Sequence, residues 1–217
     1  MTTTKRALLV IDVQNEYVTG AMRIEYPPVD RSLSHIRQAM MTAREAGIPI
    51  IAVQHLTPAQ APVFARGSEG AALHPIVVEQ GYDLLIEKNL ASAFAGTQLA
   101  QWLRDQAIDT LTVVGYMTHN CNDATIREAY HAGWKVEFLH DAAGAIPYAN
   151  AHGMVSAEEI HRLYCVVLHT GFAAVVTTQE WRDAVKEQRP LVADGVYSSY
   201  QRAVELLQPN LTQPNVI

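Results

Sequence analysis

The chain has 217 residues, which suits one domain or one domain with a tail. Hydrophobic residues make up 49% and charged residues 18%, which excludes a disordered chain and leaves ample material for a core. A formal net charge of -6 with no Lys/Arg cluster excludes a general nucleic-acid binder, and no apolar run approaches the roughly 20 residues of a membrane helix.

Residues 7–11 are a continuous apolar run closing on Asp12, the pattern of a strand buried on both faces. Residues 14–28 read as loop, and helical spacing over 30–46 is stopped by Gly47. A second buried strand covers 48–54. The stretch 55–81 carries Pro58, Pro62, Gly67, Gly70 and Pro75 and reads mostly as loop, a length usually reserved for function. A third strand at 83–88, a helix at 97–106 and a fourth strand at 110–115 follow. Residues 121–132 are helical up to Gly133, and 135–139 form a fifth strand. Ser156 with Glu159 three residues on is a capping-box pattern that starts a helix over 156–169. A sixth strand at 173–176 and a helix at 179–187 close a domain of residues 1–188. The tail, 189–217, has one short helix near 201–207 and packs on its own domain or on a neighbouring subunit.

Strands alternating with helices give an α/β fold, a three-layer α/β/α sandwich around a doubly wound, six-stranded, mostly parallel sheet. Neither glycine-rich phosphate motif occurs, so no nucleotide cofactor is indicated. Only two cysteines, Cys121 and Cys165, argue against a disulfide framework and for a reducing cytoplasm.

Open α/β sheets bind ligands beyond the carboxyl ends of their strands. Those ends carry Asp12, Gln54 and His55, Glu87 and Lys88, the segment 116–121, and His140 with Asp141. An acid, a lysine and a thiol therefore converge on one edge. Cys121 falls at the predicted start of a helix, where free N–H groups and the dipole favour a thiolate; Asn120 is the expected N-cap, with Asp123 in the first turn. Asp12 can take the thiol proton, and the Lys88 charge can hold Asp12 ionised. Cys165, in an apolar run, reads as core. The nine histidines show no zinc-type spacing.

Three segments resemble the isochorismatase-like cysteine hydrolases: residues 7–17 (ALLVIDVQNEY), 87–97 (EKNLASAFAGT) and 114–129 (VGYMTHNCNDATIREA), with further matches at 53–55 and 70–75. The resemblance spans roughly residues 6–181. It implies strand order 3-2-1-4-5-6 and a catalytic triad of Asp12, Lys88 and Cys121. It also implies a non-prolyl cis peptide at Met117–Thr118 and an oxyanion hole from the backbone N–H groups of Thr118 and Cys121. Members of the nicotinamidase type carry an Asp-x-His metal motif after the second strand; Val53-Gln54-His55-Leu56-Thr57 lacks that Asp, so no metal is expected. Family members often have Val after the nucleophile, where this chain has Asn122. True isochorismatases lack the nucleophilic cysteine, so its presence points to amide, carbamoyl or related acyl substrates.

The strand-end loops supply Gln14, Tyr17, His55, Phe64, Phe94, Tyr116 and Asn120 as candidate walls for a small, partly apolar substrate. The expected assembly is a homodimer or homotetramer. A metal-dependent nicotinamidase-type amidase and a non-catalytic binding protein on the same fold remain the alternatives.

Overall fold

The computed structural model describes residues 4–207. Its elements are β1 (Arg6–Ile11), α1 (Val29–Glu45), β2 (Ile50–His55), α2 (Pro75–Gln80), β3 (Leu84–Lys88), α3 (Leu99–Asp105), β4 (Thr110–Tyr116), α4 (Asp123–His131), β5 (Lys135–Gly144), β6 (Tyr148–Asn150), β7 (Gly153–Val155), α5 (Ala157–His169), β8 (Ala174–Val176), α6 (Thr178–Lys186) and α7 (Val196–Leu207). Six strands form one sheet in the order β3-β2-β1-β4-β5-β8, every pair parallel. This is the expected order 3-2-1-4-5-6, with β8 as the sixth sheet strand.

Helices cover both faces because alternate residues of each strand point to opposite sides. From β1, Ala7, Leu9 and Ile11 pack with Leu99 and Leu103 of α3, Ile126 and Ala129 of α4 and Leu168 of α5. Leu8 and Val10 pack on the other face with Ile36 and Met40 of α1 and Trp181 of α6. β1 lies at the switch in strand order, so Asp12 and the turn after β4 open onto one crevice. Gly115 permits this close approach: its φ is +105°, and a Cβ there would collide with the backbone of Ile11.

The structure departs from the sequence reading in four places. The segment read as loop over 55–81 contains α2, started by Pro75 and capped by the His74 side chain on the Ile76 amide. Only six residues long, it leaves too short a periodic trace to read. β5 runs ten residues rather than five, because the register against β4 shifts between Val113 and Gly115 and pairing resumes beyond it. The exposed antiparallel ribbon β6–β7 went unread, since its exposed residues show no apolar alternation. In the tail, α7 begins at Val196 rather than near 201, while residues 208–217 lie outside the described residues. The Ser156–Glu159 capping box forms as read. Among the described residues, no helix is long and apolar enough to cross a membrane.

One buried polar network ties the amino-terminal end of the sheet to the chain's last third. Arg6 Nη2 lies 2.8 Å from Glu137 Oε1. Glu137 Oε2 also accepts from Thr112 Oγ1 (2.8 Å) and Trp181 Nε1 (3.0 Å), and Arg6 Nη2 donates to the Arg189 carbonyl (2.7 Å). Removing one member strands a buried charge. Arg6→Leu is expected to cost about 3–5 kcal/mol in urea unfolding, against less than about 1 kcal/mol for Arg44→Ala, which breaks the exposed pair with Asp83. Equal costs would place the Arg6 network outside the cooperative core.

Candidate active site

Each of the three expected triad residues ends a strand or follows one. Asp12 follows β1 with a left-handed φ of 51°, turning its carboxylate back over the sheet edge. Lys88 is the last residue of β3 and reaches in from two strands away. Cys121 lies in a π turn, Thr118–Asn122, between β4 and α4. Lys88 Nζ is 2.7 Å from Asp12 Oδ2, 3.3 Å from Cys121 Sγ and 3.2 Å from His55 Nδ1. The Lys88 and Asp12 side chains are wholly buried and Cys121 is 5% exposed.

The chemistry of the thiol differs from the sequence reading. Burial pushes the Cys121 thiol up, the Asp12 charge pushes it further, and Lys88 only partly compensates. These surroundings favour the protonated thiol, against the pull of a helix end toward a thiolate. Cys121 precedes the first turn of α4, whose cap position is held by Asn122 rather than Asn120, so the dipole acts at longer range than expected. Burial works against the charge of Lys88, but Asp12 and Cys121 outweigh it and raise its pKa. Asp12 Oδ1 is buried without a hydrogen-bond partner among the described residues, which leaves an acceptor free for a proton.

The remaining candidates divide. Tyr17 and Phe64 pack together (ring centroids 5.0 Å), with His55 edge-on to Phe64 at 5.5 Å. Burial, then the nearby Cys121 and Asp12 charges, raise the Tyr17 pKa. His55 turns Nδ1 to the Lys88 ammonium and so accepts there; burial and Lys88 lower its pKa, keeping it neutral. Phe94 stacks on Trp134 at 5.3 Å, in the apolar cluster that holds Cys121. Gln14 is a brace: its Oε1 accepts from the His55 amide, and its Nε2 donates to the carbonyls of His55 and Ala71. Tyr116 is fully buried, with its hydroxyl 2.7 Å from Ser32 Oγ on α1. Asn120 is exposed, and it acts on the Tyr148 hydroxyl by lowering its pKa against the effect of burial. His140 and Asp141 lie within the extended β5, where Asp141 accepts from the Thr178 amide and hydroxyl.

Two residues near the thiol escaped the sequence reading. Tyr148 of β6 stands close enough for Cys121 to raise its pKa, after burial. His119, two residues before the thiol, has both ring nitrogens buried without partners among the described residues and packs edge-on to Tyr148 at 4.7 Å; burial pushes its pKa down to about 4. Its place in the segment 114–129 was the one available signal. The non-prolyl cis bond is Tyr116–Met117, one residue earlier than the resemblance implied. The Met117 carbonyl takes up the amides of Asn120 and Asn122, so neither serves an oxyanion. A cleft of about 440 Å³ opens beside Lys88, lined by Thr57, Arg66, Glu87 and Gly96 among others.

Asp12, His55 and Cys121 each offer a ligand atom within 4.8 Å of the others. The Lys88 ammonium lies within hydrogen-bond reach of all three groups, so a cation already fills that centre. A metal there would face a fixed positive charge, and the donor set does not fit one.

The thiol's protonation has a measurable consequence. In a Cys165→Ser background, the ultraviolet thiolate signal of Cys121 should titrate above the ordinary cysteine range. Asp12→Asn should shift it downward, since the Asp12 charge raises it. An upward shift would reverse the proposed electrostatics.

A family model described as the isochorismatase domain matches residues 6–180. The crystal structure of a putative isochorismatase from Burkholderia xenovorans LB400 superposes with a TM-score of 0.94 at 56% identity, covering 95% of this chain and 100% of that one. The uncharacterized isochorismatase family protein YddQ of Bacillus subtilis is 32% identical over 80% of this chain and 96% of its own length. The nicotinamidase of Escherichia coli is 27% identical over 69% of this chain and 89% of its own. The strand order, the match over residues 6–180 and these relatives together establish that the chain belongs to the isochorismatase family.

Proposed function

We propose that this chain is a cysteine-dependent amidohydrolase, acting on a small amide, carbamoyl or related acyl substrate through a thioester. The observation that carries the reading is the contact of one buried ammonium, Lys88 Nζ, with both Asp12 Oδ2 and Cys121 Sγ. Asp12 accepts the thiol proton as sulfur attacks the carbonyl carbon. The oxyanion rests on the amides of Thr118 and Cys121. Asp12 returns the proton to the departing amine or ammonia. A water molecule, deprotonated by Asp12, then cleaves the thioester and restores the thiol. Lys88 acts as a positioning residue that keeps Asp12 ionised in a dry site. Tyr17, Phe64, Phe94, Tyr148 and Asn120 form the substrate wall in this reading, and Gln14, His55 and Tyr116 support it from behind.

An E. coli relative named for an amidase supports the C–N bond as the target. The metal-dependent alternative is set aside because Lys88 occupies the centre of the candidate ligands. We assign the hydrolase domain to residues 1–188 and place the enzyme in the reducing cytoplasm, where a working thiol survives.

The test is ammonia release from a panel of small primary amides and carbamoyl compounds. Cys121→Ala should lower turnover of the best substrate by at least about 10³-fold, with acyl-enzyme trapped by mass spectrometry in the native protein alone. Full turnover by Cys121→Ala would sink the scheme. α7 buries none of its residues and exposes Tyr197, Tyr200 and Leu206, which supports pairing of copies through the tail. Light scattering should give a dimer or tetramer, reduced to a smaller species by truncation after residue 188; an unchanged size would move the interface elsewhere.

A further inference from the structure

His161 and Cys165 stand one turn apart on α5, so they share a face. β5 brings His140 beside them. Spacing along the chain hides this group, because the third member comes from another element. One ligand atom from each of the three lies within 4.8 Å of the others, and His161 Nε2 is 3.7 Å from Cys165 Sγ. A tetrahedral zinc with Zn–N about 2.05 Å and Zn–S about 2.3 Å holds its N and S ligands about 3.6 Å apart.

Hydrogen bonding favours one nitrogen as the free one. Thr118 Oγ1 lies 3.1 Å from the Gly144 carbonyl and 2.8 Å from His161 Nδ1. The carbonyl only accepts, so the arrangement that satisfies both contacts gives it the single hydroxyl proton. In that arrangement His161 Nδ1–H donates to Oγ1 and the Nε2 lone pair is left on the side of Cys165. A histidine anchored through one ring N–H with the other nitrogen bare is the metal-binding form. His161 is buried, whereas His140 and Cys165 are partly exposed. Both of these line a cavity of about 490 Å³ that reaches Asp194 and Arg202. An ion has a way in and room for a non-protein fourth ligand.

We propose that His140, His161 and Cys165 form a site for a borderline-soft divalent transition-metal ion such as zinc, separate from the site at Asp12, Lys88 and Cys121. Two imidazoles and a thiolate suit zinc or cobalt and not magnesium or calcium, which want oxygen. On binding, the Cys165 thiol gives its proton to solvent and sulfur bonds the ion. The ion would also fix His161 against Thr118, in the turn that carries Cys121.

The test uses the full chain with Cys121→Ser, in which Cys165 is the one remaining thiol. Chelator-stripped protein is titrated with Co2+ alone and then with Zn2+. The expected result is one equivalent of cobalt with a thiolate charge-transfer band, displaced by zinc. Adding Cys165→Ser should abolish the band and weaken Zn2+ binding by at least about tenfold. His140→Ala, at a partly exposed position, should weaken Zn2+ binding similarly and covers the case in which the cysteine variant does not fold. Cobalt binding without the band, a band that survives Cys165→Ser, or unchanged zinc affinity in His140→Ala would overturn the proposal.

Discussion

A single buried ammonium organises the site. Lys88 Nζ touches the carboxylate of Asp12, the sulfur of Cys121 and the imidazole of His55 at once, and both charged side chains are wholly removed from water. Desolvating an isolated charge costs several kcal/mol, so neither Lys88 nor Asp12 is stable there without the other. The pair places a carboxylate and an ammonium 2.7 Å apart in a dry site beside the thiol. It also fills the place a metal would take.

That arrangement depends on the sheet. β1 and β4 are paired neighbours at the switch in strand order, and the chain continues from both ends into the same crevice. The near-continuous apolar content of these strands, buried by helices on both faces, leaves the strand ends as the place where polar side chains can gather. Gly115 lets the backbones of β1 and β4 approach closely, and Asn122 Nδ2 on the Gly115 carbonyl (2.8 Å) ties the π turn to that same point. Gln14 joins the ends of β1 and β2 in the same way, through His55. The turn that carries the thiol is held by side-chain-to-backbone bonds to the strand ends, not by the loop alone.

Much of this was legible in the sequence. Apolar runs ending in Asp12 and Lys88 gave the strands, and Gly47 and Gly133 marked helix ends. The Ser156–Glu159 spacing marked a helix start. These signals are local: a buried parallel strand must be apolar throughout, and a helix end must satisfy its own amides. The helix-end argument for Cys121 weighs the dipole and leaves out the burial that the fold imposes on the thiol. Inside the fold, desolvation and the Asp12 charge act on the thiol in the opposite sense and prevail. Tyr148 and His119 were missed for a related reason, since the short β6–β7 ribbon that brings Tyr148 back over the turn has no apolar pattern of its own.

The sequence by itself determined the α/β architecture, the strand order through its family resemblance, and the residues at each strand end. Those follow from periodicity and capping, which act within a few residues. Only the tertiary structure decided that Lys88, 76 residues from Asp12, closes on it at 2.7 Å, and that Gln14 and Tyr116 brace the site instead of lining it. It alone decided that the thiol is buried beside the Asp12 charge and that His140 meets His161 and Cys165. Distances between remote residues, and the loss of water around them, arise only when the layers close.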